Sequence, residues 1–182
     1  MPIEFDINEI KKDCNIYFET GMWNVKQCET SLCKALKMDF DKCCSVEINS
    51  AFIDIAELKF HQEIEDNKLK LFQGKSENLK EYLDDINLKD DDRIFFFLDS
   101  HGSGYGCPLV EELDAIKSLK SNNHIILIDD IRIIRSCVWS DDRYKGDDFE
   151  KQLKNKLLEI NENYKFSYLD GHIENDVLCC SL

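Results

Sequence analysis

The sequence predicts an α/β fold: a doubly wound, mostly parallel seven-stranded sheet with helices on both faces and an antiparallel last strand. Three observations lead there. Short apolar runs alternate with longer amphipathic stretches from one end of the chain to the other, the pattern of strand–helix–strand units. The runs FFFL (95–98) and IILI (125–128) are apolar at every position, as strands covered on both faces must be. The last two apolar runs are separated only by LDGHIEN, too short for a crossover helix, so they form a hairpin and one opposes the rest.

Strands are expected at residues 16–19, 43–47, 69–73, 93–99, 124–129, 165–169 and 176–181. Between them, Cys28, Leu32 and Leu36 recur every four residues, as do Phe52, Ala56 and Phe60. Leu79, Tyr82 and Leu83 make a short helical face. Leu109, Leu113 and Ile116 make another, and Phe149, Leu153, Leu157 and Ile160 a longer one. Asn49 or Ser50 is placed to cap the second of these helices and Ser76 the third. KDDDR (89–93) reads as a solvated loop entering the fourth strand. With neither repeat nor linker, residues 1–182 read as one domain.

A hydrophobic content of 43% with two prolines and seven glycines argues for a packed core over disorder. No run approaches the roughly 18 apolar residues of a membrane span, and MPIEFDINEIKKD is too acidic and mixed for a signal peptide. The nine cysteines are odd in number, lack zinc spacing and fall largely inside apolar runs. They read as reduced, buried thiols of a cytoplasmic protein. A net charge of −14 repels phosphate backbones, and the 23 Lys and Arg are scattered among acids. Neither nucleic acid nor membrane is an expected partner; a small molecule or glycan is. The oligomeric state stays open.

Doubly wound sheets bind ligands outside the carboxyl ends of their strands. There the sequence places Glu19, Gly21, Glu47, Gly74, Asp99 and the Asp129–Asp130 pair, all at ends of successive strands. Gly21 lets the backbone turn tightly beside a ligand or simply turn. Glu47 stands where dinucleotide sites bind ribose hydroxyls. Lys75 and Ser76 after Gly74 reach a base or start a helix.

ETG after the first strand, an acid after the second, FFLDSHG followed by CPLVEELDAI, and then IILIDD resemble a class I S-adenosylmethionine-dependent methyltransferase. The resemblance runs from about Asn15 to Leu182 and is nearest to small, metal-dependent sugar O-methyltransferases. It implies the Rossmann-like methyltransferase fold. Glu19, Thr20 and Gly21 would line the methionine end of S-adenosylmethionine, Glu47 would hold the ribose, and Lys75 and Ser76 would sit near the adenine. Asp99, placed at the same cofactor cleft, would join Asp129 and Asp130 in holding a divalent metal such as Mg²⁺ or Mn²⁺. The family's first loop carries two or three glycines, whereas Met22-Trp23-Asn24 follows the single Gly21 here.

The three aspartates have a physical account of their own. Carboxylates at adjacent strand ends repel, and burying them unpaired is costly. A hard cation with all-oxygen ligands resolves this. Alternatively Asp130 caps the next segment and Arg132 or Arg135 pairs with the acids. Adjacent Asp129 and Asp130 share one ion only if the strand breaks between them. His101, on the glycine-rich loop HGSGYG, is the first candidate for a general base, with Asp99 its competitor. Trp139, Arg143 and Tyr144 in SCVWSDDRYKGDD offer an aromatic, cationic surface for a sugar ring or anchor an irregular loop. The expected activity is methyl transfer to a carbohydrate hydroxyl. The alternatives are another small hydroxylated acceptor or a catalytically degenerate binding domain. A phospho-receiver fails on position, because its acidic pair belongs after the first strand.

Overall fold

The computed structural model describes residues 5–26, 30–101, 106–136 and 146–182. A short helix α1 (Ile7–Ile10) leads into β1 (Ile16–Thr20), followed by α2 (Ser31–Ala35), β2 (Lys42–Glu47), α3 (Ser50–Lys59), α4 (His61–Glu65) and β3 (Leu69–Gln73). A 3₁₀ turn (Ser76–Asn78) and α5 (Leu79–Asp85) precede β4 (Ile94–Leu98). Then come α6 (Leu109–Lys117), β5 (Ile125–Ile128), α7 (Ile131–Ser136), α8 (Gly146–Ile160), β6 (Lys165–Leu169) and β7 (Val177–Ser181). The sheet order is β3-β2-β1-β4-β5-β7-β6. β7 runs antiparallel to both β5 and β6, and the other pairs are parallel. This is the Rossmann-like methyltransferase fold.

Every residue of β1, β4 and β5 is buried, because helices cover both faces. Alternation along the strands divides the core in two. Phe18, Phe96, Leu98 and Ile126 pack with α5 to α8 on one face. Tyr17, Phe95, Phe97 and Leu127 pack with α1 to α3 on the other. Cys14, Cys43, Cys44, Cys179 and Cys180 are buried free thiols within these layers. Desolvation pushes the Cys43 and Cys44 thiols up to about 12, so they are inert packing groups. Among the described residues no helix is long and apolar enough to cross a membrane.

Asn49 caps α3 by accepting a hydrogen bond from the Ala51 N–H at 3.0 Å. The expected cap at Ser76 is corrected. Ser76 opens the 3₁₀ turn, α5 starts at Leu79, and the serine hydroxyl bonds Ser100 instead. The stretch after the acidic pair is helix α7, with Ile131 and Ile134 buried one turn apart.

Gly21 fixes how closely β1 and β4 end together. Its φ is +85°, and a Cβ there would lie 2.2 Å from the Asp99 carbonyl oxygen. Gly21→Ala is therefore expected to destabilise the protein by more than about 1 kcal/mol, since the left-handed conformation alone costs that much. Urea denaturation of both proteins checks this, and an unchanged midpoint would show that the strand ends can part.

Candidate functional site

The strand order reverses between β1 and β4, and a cavity of about 580 Å³ opens at their carboxyl ends. Its volume falls in the range of small-molecule sites. One wall carries Glu47, Ile48, Trp23 and Phe52; the floor carries Gly74, Lys75, Ser76 and Ser100; Asp99, His101 and Asp130 close the far end.

Glu47 is buried, and its two oxygens accept the Trp23 and Asn49 backbone N–H groups, each at 2.8 Å. Those bonds fix the carboxylate at the tip of β2 and leave each oxygen further accepting capacity toward the cavity. Trp23 and Ile48 are about half exposed, at 56% and 48%, and Trp23 meets Phe52 edge-on, so apolar faces stand beside this acid.

Glu19 and Thr20 go elsewhere. As neighbours in a strand they face opposite sides of the sheet. Glu19 is buried toward α2 and accepts hydrogen bonds from the hydroxyls of Tyr17, Ser31 and Ser45 at 2.6–2.8 Å. Burial raises its pKa and those three hydroxyls oppose the rise. It ties β1, β2 and α2 together and is not in the cavity wall. Thr20 is buried on the α6 face. Of the three residues assigned to the methionine end, only Gly21 lines the cavity.

At the far end the strand does break between the two aspartates. β5 stops at Ile128, and Asp130 has φ +55°. Carboxylate oxygens of Asp129, Asp130 and Asp176 lie within 4.8 Å of one another. Arg132 Nη1 stands 2.6 Å from Asp130 Oδ1 and also pairs with Asp176 Oδ2, while its backbone N–H donates to Asp176 Oδ1 at 2.9 Å. Asp99 is half-buried and stands outside that group of three, yet desolvation together with the charges of Asp129 and Asp130 holds its carboxyl well above the usual range. Burial and then Asp130 push Asp129 up to about 6. One guanidinium thus only partly offsets a group of acids, and this donor set of hard oxygens fits a divalent cation.

His101 is buried with Nε2 2.8 Å from the Asp129 carbonyl oxygen. A carbonyl only accepts, so Nε2 carries the proton and the neutral ring's lone pair is on Nδ1. Desolvation lowers its pKa, which keeps the ring neutral near pH 7. Two other histidines lie apart. His124 is buried below the opposite ends of the strands, where Nδ1 accepts the Ile94 N–H, and His61 lies exposed on α4. Trp139, Arg143 and Tyr144, and residues 102–105 of the His101 loop, lie outside the described residues.

Two acids of this region were not singled out from the sequence. Asp176 precedes β7, and the antiparallel direction of that strand brings its start to the carboxyl ends of the others. The hairpin expectation contained that signal. Glu112 is three residues beyond Leu109 and four before Ile116, on the inward stripe of α6, where it is completely buried. Its Oε1 accepts the Ser100 hydroxyl at 2.7 Å, and Ser100 lies 2.7 Å from the Ser76 hydroxyl. Burial pushes Glu112 up to about 7, with the hydroxyls of Ser100, Ser76 and Thr20 opposing the shift.

No protein-family model matches the chain, and no curated protein matches it. Solved structures do. A putative caffeoyl-CoA O-methyltransferase from Staphylococcus aureus aligns over 91% of this chain and 75% of its own, with TM-score 0.54 and 17% identity. A fibrillarin pre-rRNA processing protein from Methanococcus jannaschii aligns over 93% and 66%, with TM-score 0.59 and 11% identity. An SAH-bound methyltransferase from Podospora anserina aligns over 92% and 71%, with TM-score 0.53 and 18% identity. At these identities the likeness is one of fold.

Glu112 makes a pH prediction. Its folded pKa of about 7 lies above its ordinary 4.5, so between those values the folded chain keeps a proton that the unfolded chain releases. Stability contributed through this group is present below pH 4.5 and is lost as pH rises through 7. The loss is at most about 3 kcal/mol. Glu112→Gln should lose less stability than wild type between pH 5 and 8 in urea titrations. Asp99 and Asp129 contribute equally to both proteins, so equal losses would rule out a raised Glu112 pKa.

Proposed function

We propose that this chain is an S-adenosylmethionine-dependent O-methyltransferase that methylates a carbohydrate hydroxyl with the help of a divalent metal. The observation that carries this reading is the single cavity wall sequence at the switch point: Glu47 and apolar faces at one end, serines at the floor, and His101 with the acids at the other. That arrangement suits a ligand with a ribose and a base whose reactive end reaches the acids. It coincides with a fold shared with solved methyltransferases, several of them described as O-methyltransferases.

When bound, S-adenosylmethionine supplies an electrophilic methyl group, and a divalent cation lowers the pKa of the hydroxyl it touches. The chain's own residues do the rest. Glu47, locked by two backbone N–H groups, accepts from ribose hydroxyls. Asp99, Asp129 and Asp130 would hold the cation, with Arg132 orienting Asp130 from behind. His101, held with Nε2 on the Asp129 carbonyl, lines the cavity beside these acids and would act as the base that takes the hydroxyl proton. Holding acceptor and donor in line supplies much of the rate.

A second acceptor class has one observation in its favour: the likeness to a putative caffeoyl-CoA O-methyltransferase points to a small hydroxylated aromatic. A panel of sugars and catechols with labelled cofactor separates the two, and binding without turnover on any acceptor would leave a degenerate binding domain.

Calorimetric titration of S-adenosylhomocysteine should give saturable binding, weakened at least about tenfold in Glu47→Ala by loss of hydrogen bonds to a charged group. Absence of binding with both Mg²⁺ and chelator would overturn the enzyme reading. A separate Mg²⁺ titration should give a site that Asp129→Ala abolishes; heat unchanged by that substitution would remove the metal from the proposal.

A further inference from the structure

Behind the cavity floor lies a chain of polar groups that the chemistry above does not use. Ser76 and Ser100 line the cavity, and Glu112 lies behind them, completely buried. Ser100 Oγ stands 2.7 Å from both Glu112 Oε1 and Ser76 Oγ. The Thr20 hydroxyl and Glu112 Oε2 are buried beside this chain, with the hydroxyl facing the acid. A buried acid on the inward stripe of a helix, facing a ligand cavity through two hydroxyls, is costly to keep for packing alone.

The direction of the hydrogen bonds follows from counting protons. Each serine hydroxyl has one. An ionised Glu112 only accepts, so Ser100 must give its proton to Glu112, and Ser76 must then give its own to Ser100. What Ser76 presents to the cavity is a lone pair. When Glu112 is protonated, the chain can run the other way, and Ser76 then donates outward. Building on the cofactor reading above, we propose that Glu112 is a positioning residue that acts through Ser100 to make Ser76 an acceptor, selecting the 6-amino group of an adenine over a 6-oxo purine. The recognition is set by an acid that never touches the ligand.

Local surroundings agree with this assignment. The charged side chain whose field acts on Glu112 is Glu77, on the 3₁₀ turn, and its like sign opposes ionisation. From β1 and β4 the facing groups are the hydroxyls of Thr20 and Ser100. An amine donated to Ser76 favours the accepting direction and so favours the ionised acid. Binding of the adenine ligand is thereby linked to release of a proton from Glu112.

The test compares S-adenosylhomocysteine with S-inosylhomocysteine by calorimetry on the full chain. Their homocysteine and ribose parts are identical, so Asp99, His101 and Asp130 at the far end affect both alike and cancel in the ratio. Wild type at pH 8 should prefer the adenosine ligand by at least about tenfold, because the oxo group would meet the serine lone pair. The preference should shrink severalfold at pH 6 and approach unity in Ser76→Ala at either pH. Glu112→Leu, which keeps Ser76, should lose both the preference and its pH dependence. If that variant does not fold, the wild-type pH series and Ser76→Ala decide alone. Equal affinity for the two ligands in wild type, or a preference untouched by Ser76→Ala, would overturn the relay while leaving the cofactor reading standing. Binding of neither ligand would overturn the cofactor reading and this inference with it.

Discussion

The parallel pairing of β1 with β4 is the constraint on which the rest depends. Its register sets Thr20 opposite Leu98, so both strands end at one level. From β1 the chain crosses to β2 on one side, and from β4 to β5 on the other, so the connections diverge and leave a cleft. Gly21 allows the two ends to touch. Ladder bonds then continue one residue beyond the strands, from the Asp99 N–H to the Thr20 carbonyl and from the Asp129 N–H to the Leu98 carbonyl. Asp99 and Asp129 are thus held by backbone, not by loop packing.

Charge shapes the far end of the cleft. A chain carrying −14 has many acids in solvent, but Asp129, Asp130 and Asp176 are buried together, with half-buried Asp99 nearby. Arg132 meets two of them, and its backbone N–H meets Asp176 again, which ties the start of α7 to the start of β7. Breaking such a partly buried pair leaves a charge without its partner and costs more than the pair itself contributes. The arginine alternative weighed for these acids and the cation alternative are therefore compatible: the guanidinium sits on one side of the group, and Asp99 lies toward the cavity.

The two faces of the sheet treat their polar groups differently. On the α2 side Glu19 is saturated by three hydroxyls and turned away from the cavity. On the α6 side Glu112 accepts the Ser100 hydroxyl and lies directly behind the cavity floor. One residue of offset along β1 separates a structural acid from the polar chain behind the site.

The sequence by itself determined the elements and their order. Dense apolar runs, a strand-to-strand link too short for a helix, and acids at successive strand ends placed all seven strands within a residue or so and Glu47, Asp99 and Asp129 at the right ends. These are local properties: periodicity and length depend on neighbours in the chain. Tertiary structure alone decided that Glu19 leaves the cleft while Glu112 comes to stand behind it. It also decided that Ser76 bonds Ser100 across 24 residues, and that Asp176 joins Asp130 through Arg132. Which carboxylate meets a hydroxyl, a guanidinium or open cavity depends on the pairing of strands and the helix laid across them. No spacing rule within the chain encodes those contacts.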